Sequence, residues 1–230
     1  TAYDPDTSGD INKSSAKINI TTPLNDIRGN SSCASAGNID ANNENFTCSV
    51  NINYFDAAGN WTLRASISDN SSRFFANEST NLTVLSTLSI IVGPPSLTFA
   101  SIAQGQANVT AQQIIAVNNT GNQNVTGGNV RVQAFDLVGA DGLAIIPAGN
   151  FTVDLSNGGG NPQCGVQTVM VNASATGVTN SILPRGNNTG GSNPEHGKEQ
   201  LYTCLRRAPL ALTSQAYTAN GPATWVVSAV

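Results

Sequence analysis

Short runs of β-branched and aromatic residues recur along the whole chain, and clusters of Asn, Gly, Ser or Asp close each run. No stretch keeps apolar residues every three to four positions over three helical turns, so the pattern predicts strands rather than helices. The predicted strands cover residues 16–22, 46–55, 61–68, 82–92, 96–102, 109–118, 129–137, 151–155, 166–171, 200–205 and 224–230. The chain is therefore expected to be all-β.

The tripeptide Gly93-Pro94-Pro95 separates these predicted strands into two groups. Proline fixes φ and cannot donate to a sheet ladder, so the tripeptide predicts a stiff domain boundary. We expect residues 1–14 to form an extended N-terminal arm and residues 15–92 an immunoglobulin-like β-sandwich. Residues 96–230 are expected to form a second, larger sandwich of Ig-like or jelly-roll-like form. Residues 54–63 read as two strands joined by a short turn.

Charge is scarce in this chain. Charged residues make up 10% of the sequence, against roughly 25% in an average globular protein, and the net charge is −4. Arg206 and Arg207 form the one adjacent basic pair, so nucleic acid is excluded as a partner. No uninterrupted apolar stretch reaches the roughly 18 residues of a membrane span, so no membrane insertion of the mature chain is expected. The start at Thr1 fits a secreted product after removal of a signal peptide.

Asparagine glycosylation sequons are the most specific signal. Fourteen of the 29 asparagines stand in Asn-X-Ser/Thr, whereas 44 Ser and Thr among 230 residues would give about 5 or 6 by chance. The excess favours an N-glycosylated extracellular protein, although abundant Asn and Thr in turns and strands is the alternative. The sequon asparagines are Asn12, Asn19, Asn30, Asn45, Asn60, Asn70, Asn77, Asn81, Asn108, Asn118, Asn124, Asn150, Asn172 and Asn187.

Four of these sequons place an aromatic or leucine residue between the two polar ones. They begin at Asn45, Asn60, Asn81 and Asn150. Because alternate side chains of a strand face opposite sides, the middle residue is expected to pack inward while Asn and Thr face solvent. Each triplet then encodes burial and a glycan acceptor together.

The four cysteines form two groups along the chain, which allows three connectivities. We favour Cys33–Cys48 and Cys164–Cys204 because each pair lies within one predicted domain. Each bond would contribute on the order of 3–4 kcal/mol, mainly by constraining the unfolded chain. Free buried thiols are the alternative, and no Cys or His spacing typical of zinc is present.

No motif of a catalytic site is evident, and we expect neither an enzyme nor a cofactor beyond covalent N-linked glycans. The single histidine, His196, lies three residues before Glu199 beside a Gly/Asn-rich loop that would not hold an acid–base pair. The second domain offers Asp136, Asp141 and Asp154, for which we expect turn or strand-end roles.

One metal-like pattern stands near the start of the chain. Asp4, Asp6, Ser8 and Asp10 alternate before an aliphatic residue, as at the start of a calcium-binding loop. The twelfth position of that loop would be Ser15 instead of a bidentate acid. A polar turn without metal is therefore the preferred interpretation.

Several short motifs resemble known surface proteins. The turn from Asp56 to Thr62 resembles one in archaeal cell-surface proteins with Ig-like domains. Residues 96–100, the Asn-Thr-Gly-Asn turn at 119–122, and residues 134–137 together resemble the opening of archaeal and bacterial surface-fibre subunits, including threads, bundling pili and TasA-like fibres.

This resemblance implies a subunit of an extracellular filament that serves adhesion or cell–cell contact. Its partners would be identical subunits joined by donor-strand complementation. The arm would be the donor, with Tyr3 and Ile11 as anchors, and residues 224–230 the fallback donor. The alternatives are a surface-layer, stalk or adhesin domain pair that does not polymerise, and a secreted carbohydrate-active accessory protein, whose sign would be surface aromatics.

Overall fold

The computed structural model describes residues 1–30, 32–155, 164, 168–186, 197–219 and 224–230. Every ladder between its strands is antiparallel, and no α-helix occurs among these residues. In particular, this described part of the chain contains no helix long and apolar enough to cross a bilayer. The all-β prediction is confirmed. The chain divides into two compact units, Thr1–Thr87 and Leu88–Val230.

The first unit contains two antiparallel sheets. One has the strand order β1-β5-β4 and the other has the order β3-β2-β6-β7. A single 3-10 turn, Ser8–Asp10, precedes β2. The strands are β1 (Ala2–Tyr3), β2 (Ile11–Thr21), β3 (Ile27–Asn30), β4 (Ala34–Asn38), β5 (Asn43–Thr47), β6 (Gly59–Asp69) and β7 (Phe74–Val84).

Alternation along β2 and β6 builds the core of this unit. Ile20 lies opposite Leu63 in the ladder, so the two side chains share one face of the sheet. Trp61 is two residues before Leu63, faces the same side and is fully buried. Its indole Nε1 donates to the Ala57 carbonyl at 2.8 Å, which satisfies the one polar group that its burial removes from water.

The predicted free arm is wrong, because residues 1–14 are part of the first unit. Ala2 and Tyr3 pair with Glu44 and Asn43 of β5. Ile11 begins the eleven-residue strand β2 and is buried. Of the two predicted donor anchors, Ile11 therefore packs inside its own unit, while Tyr3 stays exposed on a paired strand. The sparse apolar content that suggested an arm reflects a segment that is held mainly by backbone and polar contacts.

The second unit contains three antiparallel sheets. The largest has the strand order β15-β14-β17-β10-β8, and β9 also pairs with β17. The other two have the orders β16-β11-β19 and β13-β12-β18. A 3-10 turn, Ala148–Asn150, precedes β14. Its strands are β8 (Ile90–Gly93), β9 (Ala107–Thr110), β10 (Ile115–Asn119), β11 (Val130–Gln133), β12 (Leu137–Gly139), β13 (Ile145–Ile146), β14 (Phe151–Leu155), β15 (Thr168–Val169), β16 (Ala175–Gly177), β17 (Lys198–Arg207), β18 (Tyr217–Ala219) and β19 (Val226–Ala229).

One hydrophobic core joins these sheets. Phe151 and Val153 of β14 share a face with Leu205 and Thr203 of β17, their partners in the ladder. Val130 and Val132 of β11 belong to the same buried cluster, although β11 is in another sheet. Trp225 packs its ring edge-on against Phe151, with centroids 5.1 Å apart. The description of both units as tandem β-sandwiches stays a prediction.

The boundary between the units differs from the predicted one. The single strand expected over residues 82–92 is two strands, because β7 ends at Val84 and Ile90–Gly93 pairs with β10 of the second unit. Gly93-Pro94-Pro95 therefore lies inside the second unit and does not separate the two. Continuous apolar character across 82–92 concealed the break, since the two halves face different cores.

Three further strand predictions need correction. β5 ends at Thr47, so residues 48–58 form no strand and the expected hairpin over 54–63 keeps only its second half, β6. Residues 96–102 also form no strand, although Leu97, Phe99 and Ile102 pack on the core as their alternation predicts. Residues 109–118 split into β9 and β10, which pair with different parts of β17.

Candidate functional site

The sequon asparagines lie at the surface of both units. Asn187 lies outside the described residues, and so does the side chain of Asn30. Nine of the other twelve asparagines are exposed and none is buried. The exposed ones are Asn19, Asn45, Asn60, Asn70, Asn77, Asn81, Asn108, Asn124 and Asn172, whereas Asn12, Asn118 and Asn150 are half-buried.

The inward and outward alternation holds in three of the four triplets that suggested it. Phe46, Trp61 and Leu82 are buried or half-buried, while the Asn and Thr on either side are exposed. The fourth triplet differs: Phe151 is buried as expected, but Thr152 is buried as well. Thr152 Oγ1 finds no hydrogen-bond partner among the described residues.

Of the ten described asparagines outside sequons, five are exposed and two are buried. Asn119 and Asn122 are buried. The Asn119 amide donates to the carbonyls of Gln123 and Leu183 at 2.7 and 3.1 Å, and its Oδ1 accepts from Gly121 N. Asn119 therefore has a structural role in a turn, which is the use expected of a buried amide.

Two of the three half-buried sequon asparagines make side-chain hydrogen bonds within the protein. Asn150 Nδ2 donates to the Arg207 carbonyl at 3.0 Å, and this nitrogen is the atom that a glycan would modify. Asn118 Oδ1 is buried without a partner among the described residues. Asn12 Oδ1 accepts from Ser14 Oγ at 2.7 Å. Accessibility thus separates the twelve described sequon asparagines into nine exposed and three half-buried ones.

Two disulfides lie one in each unit. The structure pairs Cys33 with Cys48, whose Cα atoms are 4.4 Å apart, and Cys164 with Cys204, whose Cα atoms are 5.5 Å apart. The first bond links the start of β4 to the end of β5, and the second reaches the buried centre of β17. Within the described residues no cysteine is free.

Three of the four residues of the calcium-like pattern have acidic side chains that converge. One carboxylate oxygen from each of Asp4, Asp6 and Asp10 lies within 4.8 Å of the others. Ligands of one Ca²⁺ at about 2.4 Å can be no more than twice that distance apart, so the spacing permits a shared cation. Asp4 is buried and Oδ1 already accepts from the backbone N–H groups of Asp6 and Thr7, as in a polar turn. Ser8 is buried in the 3-10 turn between them.

An ion pair between Lys13 and the buried Glu44 links the two sheets of the first unit. Lys13 Nζ lies 2.8 Å from Glu44 Oε1, Ser35 Oγ donates to the same oxygen, and Glu44 itself is fully buried. The hydrogen bond from Lys13, helped by that from Ser35, holds the pKa of Glu44 below its ordinary value. Glu44 Oε2 is buried and accepts no hydrogen bond from any described residue.

A second pair lies beside the predicted turn at 56–62. Arg28 donates two hydrogen bonds to the buried Asp56, and the backbone N–H of Asn53 donates a third at 2.7 Å. Burial raises the pKa of Asp56, but these hydrogen bonds outweigh it and the pKa lies below its ordinary value. No motif in the sequence indicated either ion pair. The available signal was only that Glu44 and Asp56 flank the predicted strand 46–55 in a chain with few charged residues.

Glu199 is the one buried carboxyl of the second unit among the described residues. Burial raises its pKa, and only the backbone N–H of Gln200 opposes that effect. His196, its suggested partner, lies outside the described residues. Asp141 accepts from Leu143 N and Ala144 N, which is the predicted turn role. The prediction that the chain is not an enzyme stays a prediction.

Two shallow clefts lie on the described surface. One, of about 330 Å³, is lined by Asn108, Asn150, Arg206 and Arg207 together with Gly149 and Cys164. The other, of about 580 Å³, lies over Arg28 and Phe55. Neither has a carboxylate among its lining residues, so neither presents an acid–base pair.

No protein-family model matches this chain, and no curated protein or solved structure matches it either. The resemblance to archaeal surface proteins therefore rests on the short motifs alone. What the chain does has to be argued from its acceptor asparagines, disulfides and sheet edges.

Proposed function

We propose that this protein is an extracellular, N-glycosylated structural protein that serves as a subunit of a cell-surface filament. One observation carries the proposal: nine of twelve described sequon asparagines are exposed, and none is buried. A glycan can only be accommodated where the acceptor faces solvent. All four strand triplets have a buried or half-buried apolar residue, and three of them leave both polar residues exposed.

Disulfides and scarce charge support the same conclusion. Disulfides persist in oxidising compartments, which include the cell exterior, and each unit has one. Charged residues, at 10%, are too few to supply a usual surface. Glycans on the asparagines would supply the hydrated surface that ionised side chains give to other proteins.

Polymerisation of identical subunits is the part of the proposal with least geometric support. Residues 1–14 pair within the first unit, and Val226–Ala229, in the fallback donor segment, pairs with β11 of the second. Neither terminal segment is thus available as a donor strand without being released from its own unit. A filament would have to form through unpaired sheet edges or through such a release.

This pairing of both termini favours a second candidate, a surface-layer, stalk or adhesin module that does not polymerise. The two candidates share the glycosylated, disulfide-bonded exterior and differ only in self-association. Imaging of native material and sedimentation over a range of concentrations separate them. Repeating subunits and concentration-dependent growth would support the filament, whereas a single species at all concentrations would support the module.

Site-resolved mass spectrometry of the native protein tests the shared claim. We expect glycans on the nine exposed acceptors and lower occupancy at Asn118 and Asn150, whose carboxamides are partly enclosed. Bare asparagines throughout, together with reduced cysteines, would refute the extracellular assignment.

A further inference from the structure

The outer edge of the first unit's larger sheet is an unusually long unpaired strand. β7 pairs with β6 on one side only and runs for 11 residues. The other edge strands of the described structure have at most five residues. A long unpaired edge presents a row of backbone donors and acceptors to any other chain.

β7 lacks most of the features that usually protect such an edge. It contains neither lysine nor proline, and its only charged residue, Glu78, lies 3.2 Å from Arg64 Nε of the same sheet. At its beginning Phe74 and Phe75 are 62% and 57% exposed. Exposed aromatic and β-branched residues on a neutral edge favour pairing with another strand.

Glycan acceptors are concentrated at this same strand. Asn77 and Asn81 lie within β7, and both are exposed. Asn81 pairs with Thr62 in the ladder, whereas Asn77 pairs with Ala65. Positions 62 and 65 of β6 are an odd number of residues apart, so their side chains face opposite sides of the sheet.

A register shift in the ladder causes this division. Three steps along β7, from Thr80 to Asn77, match only two along β6, from Leu63 to Ala65. In a regular strand, residues four apart would face the same side. The irregularity instead places one acceptor on each face of the edge.

The carboxamide of Asn77 is held in place by its own sequon. Ser79 donates from its backbone N–H at 2.8 Å and from Oγ at 2.6 Å to Asn77 Oδ1. The acceptor nitrogen Nδ2 makes no hydrogen bond to any described residue, and the side chain is exposed to solvent. The same contact uses the Ser79 N–H, one of the backbone donors near the middle of β7.

We propose that N-glycans on Asn77 and Asn81, one on each face, keep β7 from pairing with β7 of a second copy of this chain. The second copy is the occupant because, among the described edges, only β7 itself offers a strand of matching length. Such self-pairing would be isologous and would close as a dimer. The inference rests on the proposed N-glycosylation but not on whether the protein forms filaments.

The test compares variants made in a glycosylating host. Asn77→Gln/Asn81→Gln removes both β7 glycans, and Asn19→Gln/Asn45→Gln removes two exposed strand glycans elsewhere in the same unit. We expect the β7 variant alone to gain mass in sedimentation velocity at micromolar concentration. Hydrogen exchange of the β7 amides should slow at least tenfold, a local readout that association through another surface would not produce.

Further variants guard against misfolding as an explanation. Ser79→Ala/Thr83→Ala abolishes the same two sequons while keeping both asparagines, and it should associate equally. Adding Ala76→Lys to the β7 variant puts a charge on the edge and should restore the original size. Trp61 fluorescence checks that the unit is folded in each case.

Unchanged sedimentation and exchange in both sequon-less variants would overturn the inference, and so would equal association of the Asn19/Asn45 control. Native protein that carries glycans elsewhere but not on Asn77 and Asn81 would overturn it too, while leaving the proposed function intact. Native protein without any glycan would remove the proposed function itself.

Discussion

At the scale of residues, the buried charges of the first unit stand out in a chain with so few of them. Asp56 accepts three hydrogen bonds from Arg28 and Asn53, and Glu44 accepts two from Lys13 and Ser35. A buried carboxylate is tolerated only when such donors compensate for lost hydration. These contacts link segments that are distant in sequence and thereby define which segments pack together.

Replacing Asp56 by Asn should destabilise the first unit by about 2 kcal/mol, because Arg28 loses its anionic partner while remaining half-buried. The matched control is Glu78→Gln, which breaks the exposed pair with Arg64, keeps the Asn77 sequon, and should cost no more than about 0.5 kcal/mol. Urea unfolding followed by Trp61 fluorescence in a Trp225→Phe background measures both. Equal losses in the two variants would contradict a special role for the buried pair.

Protonation of Glu199 should affect stability in the opposite direction to protonation of Glu44 and Asp56. The pKa values of Glu44 and Asp56 are lowered, so their contribution to stability is present above the unfolded values near 4 and is lost as pH falls through the folded values. The pKa of Glu199 is raised, so its contribution is present below the unfolded value near 4.3 and is lost as pH rises through the folded value. Asp141 of the second unit also has a lowered pKa, because the backbone N–H groups of Leu143 and Ala144 donate to it, so its contribution has the same sign as those of Glu44 and Asp56.

The Glu199→Gln variant tests the predicted direction in which stability depends on pH through Glu199. We expect the variant to be more stable than the original protein at pH 7 and equally stable at pH 3.5, because glutamine resembles the neutral acid. Urea unfolding followed by Trp225 in a Trp61→Phe background reports on the second unit. A gain of the same size at both pH values would show that burial of charge is not the cause.

At the scale of elements, strand prediction succeeded where alternation coincides with burial. Residues 151–155 and 61–68 correspond to β14 and to most of β6, which have ladder partners on both sides. Most of β7 escaped prediction because its residues are exposed on both faces and follow no apolar period. β3 and β4 have no such period either, and their pairing with β2 and β5 is what makes them strands.

Close packing between backbone segments gives one prediction at this scale. A Cβ added to Gly177 of β16 would collide with the carbonyl oxygen of Gly128, which is backbone and cannot rotate away. Gly177→Ala should therefore destabilise the second unit by roughly 1–3 kcal/mol. Gly149→Ala is the control, because the Met170 carbonyl oxygen would lie at an ordinary contact distance of 3.8 Å from the added Cβ. Chemical denaturation measures the free energy of unfolding of both variants. A Gly177→Ala variant as stable as the original protein would contradict the close approach.

At the scale of the whole molecule, the two units differ in how much apolar surface they bury. Six apolar residues of the first unit are buried among those described, against eighteen of the second. The first unit has 87 residues and leaves Phe74, Phe75 and Leu85 exposed. It relies instead on its disulfide and ion pairs, as small cores often do.

Unfolding should therefore occur in two steps, with the first unit losing structure at lower denaturant concentration. Trp61 and Trp225 report on one unit each, so Trp225→Phe and Trp61→Phe variants should give separate midpoints, the lower one from Trp61. Opening Cys33–Cys48 by Cys33→Ser/Cys48→Ser should lower only that midpoint, by a free energy of about 3 kcal/mol for a 15-residue loop. Coincident midpoints would mean that the units unfold together.

Local chemistry in the sequence determined the all-β class, the positions of the sequons and the outward placement of most of their asparagines, because alternation and turn residues act between near neighbours. Tertiary structure alone decided that residues 1–14 belong to the first unit, that Ile90–Gly93 belongs to the second, and that one acceptor stands on each face of β7. Those outcomes depend on ladders between distant segments and on a register shift, and neither leaves a pattern that can be read along a single strand.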